Sequence, residues 1–158
     1  MRLTSLVRRH YSLDGEAVAR LDPEFYENLI AALKEMPKHH RDQLRIGKAY
    51  RSTEEQTRLY EMYQRGEAGL TAKPGTSLHE KGMAVDFYPQ SGGHMDLANY
   101  RYRRALAWLF KHGPKHGVYG LTDHWGNHNA RDIVHFEMGP FEREEPKPKR
   151  RWWWQWWN

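Results

Sequence analysis

The sequence predicts one α+β domain. Segments with helical and with strand periodicity alternate along the chain, its strand candidates are short, and 158 residues suit a single core. The first clear element, DPEFYENLIAALKEM from Asp22 to Met36, reads as an amphipathic helix. Asp22 is its N-cap and Pro23 its first residue, and Phe25, Leu29, Ala32 and Leu33 form the buried stripe. Leu44–Tyr50 (LRIGKAY) is a strand candidate. Thr53–Arg65 is a second helix, with Thr53 as cap, Gln56 as its capping-box partner and Gly66 as the stop. Residues 66–78 read as a Gly-rich loop, and Met83–Tyr88 alternates as a strand that Pro89 ends. Leu97–His112 is a third helix, stopped by Gly113–Pro114, and Ile133–Met138 is a further strand. There is no internal repeat.

Composition excludes several classes. The chain is 39% hydrophobic and 28% charged, with a mean hydropathy of −0.97, yet 7 Trp, 9 Tyr and 5 Phe can fill a core. No apolar run approaches the roughly 20 residues of a membrane-spanning helix. The absence of cysteine removes disulfides, thiolate metal sites and thiol nucleophiles together. The formal charge of +5 is mostly a property of the C-terminal tail, where Lys147, Lys149, Arg150 and Arg151 contribute four cations. The remainder is nearly neutral, so the spread of basic residues that nucleic-acid binding requires is missing. The N-terminal MRLTSLVRRHYSLDG has no apolar stretch of secretory-leader length, and the expectation is a chain made without a standard leader.

Two segments can carry chemistry. In Ser77-Leu-His79-Glu-Lys-Gly82-Met-Ala84-Val-Asp86, an imidazole at the end of a loop is followed by a carboxylate inside a strand. In Asp132-Ile-Val-His135-Phe-Glu137, a carboxylate and an imidazole stand three apart at the start of another strand. If those strands are neighbours, His79, Asp86 and His135 can converge as two nitrogens and one oxygen, the ligand count of a catalytic zinc with its fourth position open to water. Asp132 would then lie near that water. The spacing alone also accommodates hydrogen-bonded histidines and a turn aspartate. His124 and His128 lie in the loop before Asp132 and could line the cleft or remain solvated, and Trp125 is expected to pack. His39, His40, His94, His112 and His116 show no partner spacing.

The stretch AYRSTEEQTRLY…AKPGTSLHEKGMAVDFYP followed by HWGNHNARDIVHFEMG resembles the zinc D-Ala-D-Ala carboxypeptidase and L-alanyl-D-glutamate endopeptidase family, the LAS metallopeptidases. The likeness runs from about Ile46 to Gly139 and contains SxHxxGxAxD and DxxHFE in the family's order. It implies a small, mainly antiparallel sheet carrying Zn2+ and flanked by helices. It also implies hydrolysis of peptidoglycan stem peptides; a monomer is expected. Carried over residue by residue, His79, Asp86 and His135 match the metal ligands and Asp132 the general base. Arg51 matches the arginine that binds a substrate carboxylate or carbonyl, its alternative being a structural ion pair. Ser77 matches a serine near the substrate, its alternative being a loop cap. Glu137 and Gln56 match supporting positions. Aspartate at 132 and the lack of a leader resemble a phage endolysin acting at the bacterial cell wall. They tilt the expected cleavage toward L-alanyl-D-glutamate, with D-Ala-D-Ala carboxypeptidase and a non-catalytic wall-binding zinc module as alternatives.

From about residue 141 the composition changes, so a peptidase domain over 1–140 and a tail over 141–158 are expected. KPKRRWWWQWWN joins four cations to five indoles, a composition that favours an anionic membrane–water interface. A tail folded onto the domain or a fused peptide would fit the same residues.

Overall fold

The computed structural model describes residues 15–69, 71–93, 96–121 and 132–139. Helix α1 spans Gly15–Ala19, α2 Pro23–Glu35 and α3 Lys38–Arg41; strand β1 (Leu44–Lys48) and α4 (Thr53–Gln64) follow. Then come β2 (Ala84–Pro89), α5 (Tyr100–His112), a short 3-10 turn at Gly113–His116, β3 (Val118–Gly120) and β4 (His135–Met138). The four strands form one sheet in the order β1-β2-β4-β3, and each neighbouring pair is antiparallel. This is the α+β architecture the sequence implies.

Alternation assigns the two faces of the sheet. Ile46 stands opposite Phe87 and Val85 opposite Phe136, and all four are buried on the helix side. The Phe87 and Phe136 rings meet edge-on, 5.7 Å apart, and Phe110 of α5 adds a ring 4.9 Å from Phe136. From α2, Phe25, Leu29 and Leu33 enter the same core; from α5, Tyr102, Leu106 and Leu109 do. Tyr102 donates its hydroxyl to the Phe87 carbonyl at 2.7 Å, so a fully buried phenol leaves no polar atom orphaned. The opposite face carries Asp86 and Tyr88 from β2 with His135 and Glu137 from β4.

The helix starting at Pro23 has the anticipated cap: Asp22 Oδ1 accepts from the Glu24 and Phe25 amides at 3.0 Å each. The helix at Thr53 does not. Ser52 is its N-cap and accepts from the Glu55 amide at 3.2 Å, one residue earlier than expected. Gln56 therefore takes no part in a capping box; it is fully buried and engaged elsewhere. The first strand ends at Lys48 rather than Tyr50, and the third helix begins at Tyr100 rather than Leu97, after its cap Asn99. The short elements α1, α3 and β3 have no counterpart in the sequence reading, because three to five residues are too few to show a period. The tail, with its expected boundary at 141, lies outside the described residues.

Gly82 joins the site to the core. It sits at φ +70°, and a Cβ there would stand 2.7 Å from the Arg20 carbonyl and 2.8 Å from the Asp22 amide. Its own carbonyl accepts from that Asp22 amide at 2.9 Å, tying the His79–Asp86 loop to the start of α2. Gly82→Ala adds both a left-handed backbone penalty and a clash with main chain that cannot swing away. A loss of about 2 kcal/mol or more of stability is expected. Denaturant unfolding checks it, and a midpoint unchanged from wild type would contradict this reading.

Candidate metal centre

Asp86 and His135 are direct partners in the β2–β4 ladder, so their side chains leave the sheet side by side. His79 approaches from the loop before β2. His135 Nδ1 lies 3.1 Å from Asp86 Oδ1, His79 Nε2 lies 3.3 Å from the same oxygen, and the two nitrogens are 3.3 Å apart. The three atoms form a nearly equilateral triangle. His79 and Asp86 are buried, and His135 is mostly so.

The remaining ring nitrogens decide what that triangle is. His79 Nδ1 donates to the Ala49 carbonyl at 2.7 Å, and His135 Nε2 donates to Glu137 Oε2 at 3.2 Å. With those protons outward, both inward nitrogens present lone pairs, as Asp86 does. Three acceptors in mutual contact repel unless a cation lies between them. Donors about 2.0–2.2 Å from one tetrahedral ion stand about 3.3 Å apart, which matches the triangle. Two imidazoles and one carboxylate suit Zn2+ and leave a net charge of +1 at a centre with a free position.

A cleft of about 470 Å3 opens over this group, and Arg51, Ser77 and Asp132 line it together with His79, Asp86 and His135. All six residues singled out in the sequence thus face one space. Arg51 donates from Nη1 to Gln56 Oε1 at 2.7 Å, and Gln56 passes the contact on by donating from Nε2 to the Ala72 carbonyl at 2.7 Å. A neutral carboxamide therefore holds the guanidinium, and no described carboxylate pairs with it. Ser77 is buried, but the cap of its loop is Glu80, whose carboxylate accepts from the Gly75 and Ser77 amides. The sequence marks Gln56 as a capping-box partner and a supporting position, but not as the group that holds Arg51.

Asp132 is half-buried at the cleft wall. Desolvation raises its pKa above the ordinary value, with Asp86 adding to the effect and His135, His79 and Lys48 opposing it. A raised carboxyl is a better proton acceptor. Away from the centre, His116 pairs with Glu35 at 2.6 Å and His112 stacks on Trp108, so both are structural. His124, Trp125 and His128 lie outside the described residues.

Residues 19–132, more than half of the chain, match the family model for D-alanyl-D-alanine carboxypeptidase, VanY. The chain belongs to that family. The solved structures agree in fold. The LdcB LD-carboxypeptidase shares 20% identity at a TM-score of 0.53, covering 75% of this chain and 58% of its own. A Zn(II) complex of the vancomycin-resistance D,D-pentapeptidase VanY E175A mutant shares 19% at 0.51, covering 75% and 72%. The L-Ala D-Glu endopeptidase ChiX of Serratia marcescens shares 17% at 0.52, covering 88% and 90%. The chain thus spans a little over half the length of the LdcB structure. No curated protein matches it in sequence.

Within this VanY-family site, Glu137 fixes the ring of His135 and raises its basicity. Glu137→Gln keeps the shape and removes the charge, and a loss of about 10- to 100-fold in Zn2+ affinity is expected. Competition with a chromophoric chelator measures it. Affinity equal to wild type would show that Glu137 does not tune the centre.

Proposed function

We propose that this VanY-family chain is a zinc-dependent peptidase that hydrolyses amide bonds in peptidoglycan stem peptides. The observation that carries the reading is the triangle of inward lone pairs at the floor of a cleft that also holds Arg51, which has no carboxylate partner among the described residues, and a half-buried carboxylate. His79, Asp86 and His135 would hold Zn2+, which would supply an acidified water and a Lewis acid for the scissile carbonyl. Asp132 takes the proton of the attacking water and returns it to the leaving amine. Arg51, steadied by Gln56, holds a substrate carboxylate with the planar fork that suits it. Ser77 offers a buried hydroxyl to the peptide backbone.

Family membership favours a terminal D-Ala-D-Ala bond, whereas the fold is shared equally with an L-Ala D-Glu endopeptidase. Our reading remains endopeptidase action of the phage-lysin kind, on the strength of the aspartate at 132. The carboxypeptidase is the second reading, favoured by the family match. In a γ-linked stem peptide both reactions present a free carboxylate next to the scissile bond, so Arg51 serves either. Mass spectrometry of the termini released from purified peptidoglycan, with and without a chelator, separates them. Termini that never appear, or that appear equally with chelator, would count against metal-dependent hydrolysis. Asp132→Asn should bind zinc as wild type does and lose about 100- to 10,000-fold in turnover. A variant that keeps its rate would remove Asp132 from the mechanism.

We further propose that the tail carries the enzyme to anionic envelope surfaces through its indoles and cations. A chain lacking residues 147–158 should cleave soluble peptide as before and bind anionic vesicles more weakly. Equal vesicle binding by both forms would contradict this.

A further inference from the structure

On an undisturbed strand, Ile46 and Lys48 would share a face, and Ile46 faces the core. The β1–β2 pairing breaks the alternation. Ile46 stands opposite Phe87 and Lys48 opposite Asp86, so β1 spends one residue more than β2 over this step. The extra residue is Gly47, against which the Tyr88 ring lies; a Cβ there would stand 1.9 Å from Tyr88 Cδ2. The bulge gives up regular ladder pairing and re-aims one side chain. Lys48 thereby joins the row Lys48–Asp86–His135 across three strands and lines the cleft with Arg51 and Asp132. It is exposed, and no described carboxylate forms an ion pair with it.

The cleft thus holds two cations, Arg51 and Lys48, without carboxylate partners among the described residues, beside a centre that is itself positive once Zn2+ is bound. Asp132 offsets one charge. Such a space favours a ligand with more than one negative group. Building on the hydrolytic reading above, we propose that Lys48 is a specificity-determining residue that holds a second carboxylate of the substrate, beside the one taken by Arg51. The cleft then selects peptides bearing two acidic groups.

The test uses zinc-loaded full-length chain and three synthetic peptides: L-Ala-γ-D-Glu-L-Lys-D-Ala-D-Ala, its D-isoglutamine form and its C-terminal amide. Each amidation removes one carboxylate. Wild type should lose about tenfold or more in kcat/KM on either amidation, mainly through KM. In Lys48→Met one of those two penalties should vanish, and Lys48→Arg should restore it. Zinc content and melting temperature establish that the variants are folded, and Lys48→Gln replaces the Met variant if that one loses metal. Wild-type indifference to either amidation, both penalties persisting in Lys48→Met, or an equal slowing of all three peptides would each overturn the proposal. Failure of wild type to cut any of the three would instead overturn the hydrolytic reading on which it rests.

Discussion

The structure depends on one arrangement: three buried acceptor atoms within 3.1–3.3 Å of one another, none of which can donate to the next. Such a contact is unfavourable in a protein interior unless a cation is shared. Much of the surrounding structure serves to maintain it. The β2–β4 register sets Asp86 beside His135, and a slip of one residue would turn Phe136 toward the cleft and His135 into the core. The Ala49 carbonyl and Glu137 fix the two tautomers from outside. Gly82 allows the loop bearing His79 to press against the start of α2.

The same arrangement links metal to stability. Without an ion, the fold must hold three acceptor atoms in mutual contact. With an ion, those repulsions become bonds, and any ligand that binds only the native state stabilises it by mass action. The hydrophobic face therefore has to supply enough stability to keep the site assembled before it is filled. The fully buried Phe87, Phe136, Tyr102 and Leu109 lie on the other side of the same strands that carry the ligands.

Much of the candidate centre was legible because its three converging side chains come from two short, ordered segments. The spacing from His79 to Asp86 and from Asp132 to His135 could be read directly, but their convergence was conditional on β2 and β4 being neighbours. The family match ends at Asp132, so His135 enters the centre through the sheet register rather than through that match. Three further features were not legible, each for a long-range reason. Gln56 reads as a capping-box partner or a supporting position, and its hold on Arg51 follows only once it also bonds the Ala72 carbonyl of the loop. Lys48 reads only as a polar position inside the strand candidate Leu44–Tyr50 until the bulge at Gly47 turns it toward the cleft. Thr53 reads as the cap of its helix, but the extended backbone at Ser52 makes Ser52 the cap and Thr53 the first helical residue.

The most direct test of the account is zinc-edge X-ray absorption, with anomalous scattering from crystals of the loaded protein. It should show one ion per chain bound by His79 Nε2, His135 Nδ1 and a single oxygen of Asp86, at about 2.0–2.2 Å. Zinc found only on other residues, or a loaded protein in which these three side chains do not share an ion, would contradict it.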